Sequence, residues 1–235
     1  MSFVYKNQTF TIQDIKDEEF DNFRELRFLQ IIDTLLPSCS ISLDIGANVG
    51  NHSIFMSKIL NCGMIHAFEP IPFLYKKMLS NFEMNDIHNV ISHNIALSSK
   101  DSTLKCISKL PDNHGSYWLW YENEEALHPY ERGYLSHKGH DGSEYTESIP
   151  SKRLDDVMTN FDNDYGIHYV KIDVEGMELE VLNGGINLIR KHKPLLQIEV
   201  CKDNFSKISI MMRNMNYVRS HRKIFKGENQ LWVHV

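Results

Sequence analysis

The stretch from Ile41 to Gly50, ISLDIGANVG, constrains the fold more than any other part of the chain. A short apolar run, Ile41-Ser42-Leu43-Asp44-Ile45, carries an acidic residue near its end. It leads into a turn punctuated by Gly46 and Gly50. An amphipathic run follows at once, with Ile54, Phe55, Ile59 and Leu60 at helical spacing. The pattern predicts strand, tight turn, helix. Glycine has no Cβ, so such a turn bends sharply and lets a ligand approach its backbone. The first helical turn also leaves N–H groups open to a polar ligand. A second apolar run, Met64-Ile65-His66-Ala67-Phe68, predicts the next strand, and Glu69 ends it. A carboxylate there suits a ribose, because both ribose hydroxyls can donate to it. The expectation is a nucleoside-containing cofactor across the carboxyl ends of two neighbouring parallel strands.

The spacing of the turn narrows the cofactor. A dinucleotide fingerprint places glycines as G-x-G-x-x-G. Here Asn48 replaces the middle glycine, and Asn51 stands where the third belongs. What remains is D-x-G-x-x-x-G, with less room for a pyrophosphate beside Asn48. No G-K-[ST] phosphate loop follows either. The form resembles the first motif of Rossmann-like methyltransferases that bind S-adenosylmethionine.

Size and charge set further bounds. The 235 residues suit a single α/β domain spanning 1–235, and 42% hydrophobic residues are enough to fill a core. A net charge of −6 argues against a general nucleic-acid binder, which needs a basic stripe. No signal pattern is visible over Met1–Phe10, and no apolar run reaches the roughly 18 residues of a membrane span. A cytoplasmic location without a membrane span is expected. Cys39, Cys62, Cys106 and Cys201 form no C-x-x-C pair. They read as reduced, mostly buried small residues, with neither disulfide framework nor zinc site.

Taken in order, residues 1–39 predict a strand or small hairpin and a helix over Asp17–Leu36, ended by Pro37. This unit is expected to cover one side of the main sheet. A helix starts near Pro72, with Leu74, Met78 and Phe82 on its core face. Asn89–Leu97 reads as a third strand whose end, with Asn94 and Ala96, should lie near the adenine. Thr103–Ile107 reads as a peripheral strand. Residues 112–148 break the pattern with aromatics, histidines and glycines. A loop that long commonly forms a lid or binding loop. Trp118 and Trp120 are candidate stacking faces for an acceptor, and His114 is a candidate base. The segment serves equally as an insertion packed on the domain or on a second subunit, which would make a homo-oligomer. Strands are expected over Ile167–Asp173 and Pro194–Val200, a helix over Phe205–Met215, and a closing hairpin from Tyr217–Phe225 and Gln230–Val235.

Four strands expected to be parallel end near Asp44, Glu69, Asp173 and Glu199. In an open α/β sheet, ligands bind outside the carboxyl ends of the strands, so these acids should share one cleft. Asp173, Glu175, Glu178 and Glu199 could orient acceptor hydroxyls. They could supply a general base, or bind a hard divalent cation such as Mg²⁺ at Asp173 and Glu199. Glu178 is expected to cap the helix after the strand. Lys171, two residues before Asp173, is its expected partner.

With these residues in view, the chain resembles the FkbM family of methyltransferases. The resemblance rests on Leu43–Gly50, Ala67-Phe68-Glu69-Pro70, Asn94-Ile95-Ala96-Leu97 and Leu154-Asp155-Asp156. It rests above all on Val170-Lys171-Ile172-Asp173-Val174-Glu175-Gly176-Met177-Glu178, and it extends to Val181–Gly184 and Ile198-Glu199. It implies an α/β, Rossmann-like methyltransferase fold: a mainly parallel seven-stranded sheet with helices on both faces and a C-terminal antiparallel hairpin. It implies S-adenosylmethionine-dependent O-methylation, commonly of a sugar hydroxyl in a glycan or natural product. Asp44, Gly46, Asn48, Gly50, Glu69, Asn94, Ala96 and Asp173 are the expected cofactor residues. Asp173 is the first candidate for the catalytic base, with Glu175 and His114 as alternatives. Two other classes remain open. An NAD(P)- or nucleotide-sugar-dependent oxidoreductase is disfavoured by Asn48. A non-catalytic nucleoside-binding module is disfavoured by the intact set of Asp44, Gly46, Gly50 and Glu69.

Overall fold

The computed structural model describes residues 2–5, 7–12, 24–37, 39–60, 62–108, 117–121, 147–159, 166–200, 204–221 and 229–235. The chain opens with strands β1 (Ser2–Tyr5) and β2 (Gln8–Thr11), then helix α1 (Arg24–Leu35). The predicted strand–turn–helix appears as β3 (Ile41–Ile45) and α2 (Asn51–Lys58). It is followed by β4 (Met64–Phe68), α3 (Pro72–Met84) and β5 (Val90–His93). Next come β6 (Ala96–Leu97), β7 (Ser102–Ser108), β8 (Tyr117–Tyr121), β9 (Glu147–Lys152) and α4 (Leu154–Val157). The last part holds β10 (Tyr169–Ile172), α5 (Glu178–Gly184), α6 (Ile186–His192) and β11 (Leu195–Glu199). It closes with α7 (Phe205–Asn214), β12 (Tyr217–Arg219) and β13 (Asn229–His234).

Alternation along the strands sorts side chains onto two faces of one sheet. Ile41, Leu43 and Ile45 join Val170, Ile172, Leu196 and Ile198 in a core shared with α5, α6 and α7. Ile65, Ala67, Tyr169 and Leu231 join the opposite core, shared with α1, α2 and α3. The sheet has seven strands in the order β12-β13-β11-β10-β3-β4-β5. β11, β10, β3, β4 and β5 are parallel neighbours, while β13 runs antiparallel to both β11 and β12. The sheet is therefore mixed. The C-terminal hairpin is built into it, with the last strand between β11 and β12 rather than at the edge. Among the described residues, no helix is long and apolar enough to cross a membrane.

One predicted strand is corrected. Asn89–Leu97 does not continue as a single strand. β5 stops at His93, and the Asn94 amide donates to the carbonyl oxygens of Glu69 (2.8 Å) and Pro70 (3.1 Å). That bond turns the chain away from the main sheet. β6 then pairs with β9 in a second, four-stranded sheet of order β6-β9-β7-β8. β7, expected at the periphery, pairs on both sides there. This sheet lays Leu104, Cys106 and Ile149 on the α1–α3 core. The Leu154-Asp155-Asp156 motif also gains a structural role. The Asp155 carboxylate accepts from the Leu188 N–H at 2.9 Å and the Asn187 side chain at 2.9 Å, capping the start of α6 from outside. Residues 13–23 and most of 112–148 lie outside the described residues.

Candidate active site

The site is built where β3 ends. Gly46 and Gly50 both take positive φ, +82° and +86°. A Cβ on Gly46 would stand 1.8 Å from the carbonyl oxygen of Asp173, so β3 and β10 close against each other only with glycine there. Gly46 and Ala47 donate their N–H groups to the Phe68 carbonyl at 3.0 and 2.9 Å, which draws the turn over β4. Asn81, fully buried on α3, donates to the Val49 carbonyl at 2.8 Å.

Glu69 binds the turn to the next helix. One carboxylate oxygen accepts the Asn48 N–H at 2.8 Å, and the other accepts the Ile71 N–H at 2.9 Å. Asn48 itself sits in the left-handed region at φ 52°. Each carboxylate oxygen keeps a further lone pair for a hydroxyl donor. Burial pushes the Glu69 carboxyl up to about 7, against the lowering effect of those two bonds. Asp44 is fully buried. Its Oδ2 accepts the Ser53 hydroxyl at 2.6 Å, while its Oδ1 has no hydrogen-bond partner.

The second half of the site stands at the ends of β10 and β11. Lys171, 2% exposed, donates to Asp173 Oδ2 at 2.8 Å. Burial works to raise the Asp173 carboxyl. The Lys171 charge and hydrogen bonds from Glu199 and Lys171 outweigh it and hold Asp173 well below the usual carboxylate range. Glu199 moves the opposite way, up to about 10, because it hydrogen-bonds Asp173, is buried, and faces the Asp173 charge. The two carboxyls therefore share one proton, carried by Glu199 and donated to Asp173.

This arrangement gives no support to the expected cation at Asp173 and Glu199. Lys171 and the shared proton already neutralise the pair. Among the described residues, no group of three or more His, Cys, Asp or Glu side chains is placed to hold a metal ion.

Glu175 sits in the turn after β10 at φ 53°. Glu178 is fully buried, accepts the Gly176 N–H at 2.6 Å and faces the Asn204 amide at 3.5 Å. Burial raises its carboxyl to about 7. It ties the turn as much as it begins the helix.

Of the expected cofactor residues, the structure gathers Asp44, Gly46, Asn48, Gly50, Glu69 and Asp173 at one edge of the sheet. Asn94 braces the outside of the Glu69 turn, and Ala96 is buried in the second sheet. His114 lies outside the described residues. Trp118 and Trp120 hold register positions in β8 opposite Ile107 and Lys105. Their side chains are not among those described. The sequence reading passed over His52, in the first turn of α2 and 5% exposed.

The buried acids set a pH dependence. Glu69 and Glu178 titrate near the usual 4.5 when unfolded and at about 7 when folded. Between those values the folded chain holds protons that the unfolded chain has lost. Stability is therefore greatest below the window and falls as pH rises through it, by roughly 3 kcal/mol per group. Urea unfolding of the protein without ligand should show a lower midpoint at about pH 7.5 than at about pH 5. A midpoint that rises over that interval contradicts the burial assigned to these carboxyls.

The sequence pattern of the methyltransferase FkbM domain matches residues 44–220, well over half of the chain. The chain belongs to the FkbM methyltransferase family. The FkbM match starts on Asp44 and includes every strand end of the cleft. Methyltransferase 1 of Beauveria bassiana is 25% identical over 193 residues, covering 77% of this chain and 73% of that protein. The hexuronic acid methyltransferase AglP of Haloferax volcanii is 28% identical over 187 residues, covering 77% of this chain and 65% of that one. Among solved structures, the FkbM methyltransferase from Methylobacillus flagellatus superposes with a TM-score of 0.55 at 15% identity. That superposition covers 85% of this chain and 45% of the other, and it bears on the fold alone.

Proposed function

We propose that this FkbM methyltransferase uses S-adenosylmethionine to methylate a hydroxyl of a sugar, in a glycan or a glycosylated natural product. The observation that carries the reading is Glu69, buried at the end of β4, whose two oxygens accept the Asn48 N–H of the glycine turn and the Ile71 N–H. The residues present fit a sulfonium nucleoside. The turn is lined by glycine, Glu69 retains acceptor capacity for ribose hydroxyls, and Asp44 Oδ1 is a buried acceptor without a hydrogen-bond partner. Asp173 is a lasting anion at the adjoining strand end. The bound cofactor supplies a methyl group already activated on sulfur, so the protein's work is alignment and exclusion of water.

In this reading Glu69 holds the ribose and the Gly46–Gly50 backbone positions the reactive end. Asp173 accepts a hydrogen bond from the acceptor hydroxyl and steadies positive charge near it. Its depressed affinity for protons makes it a weak base and a good orienting group. Glu175, at the mouth of the same turn, borders the acceptor. The segment 112–148 with Trp118 and Trp120 is assigned to acceptor binding, with sugar stacking as its chemistry. The hexuronic acid methyltransferase among the relatives supports a sugar acceptor.

The test is Glu69→Ala. It removes two charge-assisted ribose bonds and the acceptor for the Asn48 and Ile71 N–H groups. Affinity for S-adenosylmethionine should fall by about 2–4 kcal/mol, roughly thirtyfold to a thousandfold. Calorimetry on folded wild type and variant measures it, and an unchanged affinity would sink the ribose assignment.

A further inference from the structure

One face of α3 lies directly against the glycine turn. A Cβ on Gly50 would stand 2.6 Å from the Phe82 ring and 2.9 Å from the Met78 side chain, both on α3. Asn81 stands beside them, fully buried, and its side-chain amide donates to the Val49 carbonyl at 2.8 Å. The peptide between Val49 and Gly50 is therefore held at both ends. Asn81 takes its oxygen, and its N–H donates to the Ala47 carbonyl at 2.8 Å. The Gly50 carbonyl in turn accepts the Ile54 N–H at 2.9 Å and starts the hydrogen-bond ladder of α2.

That peptide needs a hold from outside the turn. Gly50 has φ +86° and no Cβ, so its own sterics restrain the preceding peptide only weakly. Rotating the peptide by half a turn exchanges the directions of its oxygen and its N–H. Both the bond to Ala47 and the bond from Asn81 would break, and the buried Asn81 amide would lose this acceptor. The Asn48 N–H that Glu69 accepts at 2.8 Å belongs to the same turn, so the rotation would disturb the cradle around Glu69 as well.

A different residue fastens α3 to the N-terminal hairpin. Asn85, at the end of the helix, accepts the Thr11 N–H at 2.9 Å and donates to the Thr11 carbonyl at 2.5 Å. Docking of the hairpin and shaping of the turn thus fall to separate side chains of one helix.

We infer that Asn81 is a positioning residue for the nucleoside cofactor, acting through the Val49–Gly50 peptide whose orientation it fixes. The inference rests on the proposed S-adenosylmethionine reading. A turn already held in its binding shape spares the ligand the work of ordering it. Where only a fraction of the molecules holds that shape, apparent affinity falls by that fraction. Asparagine suits the position because its amide donates at every pH. Leucine has nearly the same outline and no donor. Aspartate has the same shape and donates only while protonated.

The test is a calorimetric titration of the folded full chain with S-adenosylhomocysteine between about pH 5 and about pH 8. Each variant's affinity is divided by that of wild type at the same pH, which removes the titration of Glu69. Asn81→Leu should bind roughly tenfold more weakly than wild type across the range. Asn81→Asp should match wild type at the acid end, where its protonated carboxyl donates to Val49. It should weaken towards Asn81→Leu as that carboxyl ionises. Asn85→Ala is the structural control. It should lower the urea midpoint by freeing Thr11 and leave affinity within about twofold of wild type. Wild-type affinity in folded Asn81→Leu overturns the inference. So does an Asn81→Asp variant that binds as weakly as Asn81→Leu at the acid end, or an Asn85→Ala variant that loses as much affinity as Asn81→Leu. Should Asn81→Leu fail to fold, the acid-end affinity of Asn81→Asp decides. No binding by folded wild type overturns the cofactor reading itself, and the inference with it.

Discussion

Asp173→Asn should keep S-adenosylmethionine affinity close to wild type and lower turnover by roughly a hundredfold or more on the acceptor identified by a screen of sugars and glycosides. The substitution preserves shape and one acceptor oxygen while removing the negative charge. The buried Lys171 does not lose its counter-ion, because Glu199, released from sharing its proton with Asp173, can ionise beside it. That re-pairing avoids the cost of roughly 3–5 kcal/mol expected when one partner of a buried ion pair is deleted. The chain should therefore stay folded while the oriented anion at the end of β10 is lost. Wild-type turnover in the variant places the decisive anion elsewhere. Loss of cofactor binding would instead move Asp173 from the acceptor side to the cofactor side of the cleft.

Among the described glycines, Gly46→Ala should be the most damaging added methyl group. Two costs add. The residue would have to hold φ +82°, which costs an L-residue about 1–2 kcal/mol. Its Cβ would also lie 1.8 Å from a backbone oxygen, and backbone cannot yield as a side-chain tip can. Overpacking of this kind adds about 1–3 kcal/mol and parts β3 from β10 at the cofactor edge. The urea midpoint should drop by roughly 2–5 kcal/mol of stability, and cofactor affinity should fall with it. Gly176→Ala is the control. Gly176 also has positive φ, +110°, but nothing stands within 4 Å of its Cβ position, so only the backbone strain applies. Equal stability losses in the two variants would show that the contact between Gly46 and Asp173 contributes nothing.

The central part of this fold could be read from the sequence because its signals are local. β3, its glycine turn and α2 follow one another within eighteen residues, from Ile41 to Lys58, with an alternating strand, two glycines and a helical stripe. Asp44, Glu69, Asp173 and Glu199 were placed together by strand direction alone, and the parallel registers bear that out. Of the second sheet only β7 was legible, as a peripheral strand. Its strands are separated by long intervals and joined by pairings such as Ala96 with Ser151 that no local pattern announces. The break after His93 depends on a side-chain bond from Asn94 to a carbonyl 25 residues away. The metal expectation finds no support for a related reason. Acid content is visible in a sequence, whereas the proton shared between Asp173 and Glu199 follows from their burial beside Lys171.

The most direct test of this account is a calorimetric titration of the wild-type chain with S-adenosylmethionine, S-adenosylhomocysteine and, separately, NAD. The glycine turn, Asn48 and Glu69 predict one site that takes both adenosyl cofactors and no detectable NAD. Binding of NAD in preference, or no binding of either adenosyl compound to the folded chain, would contradict it.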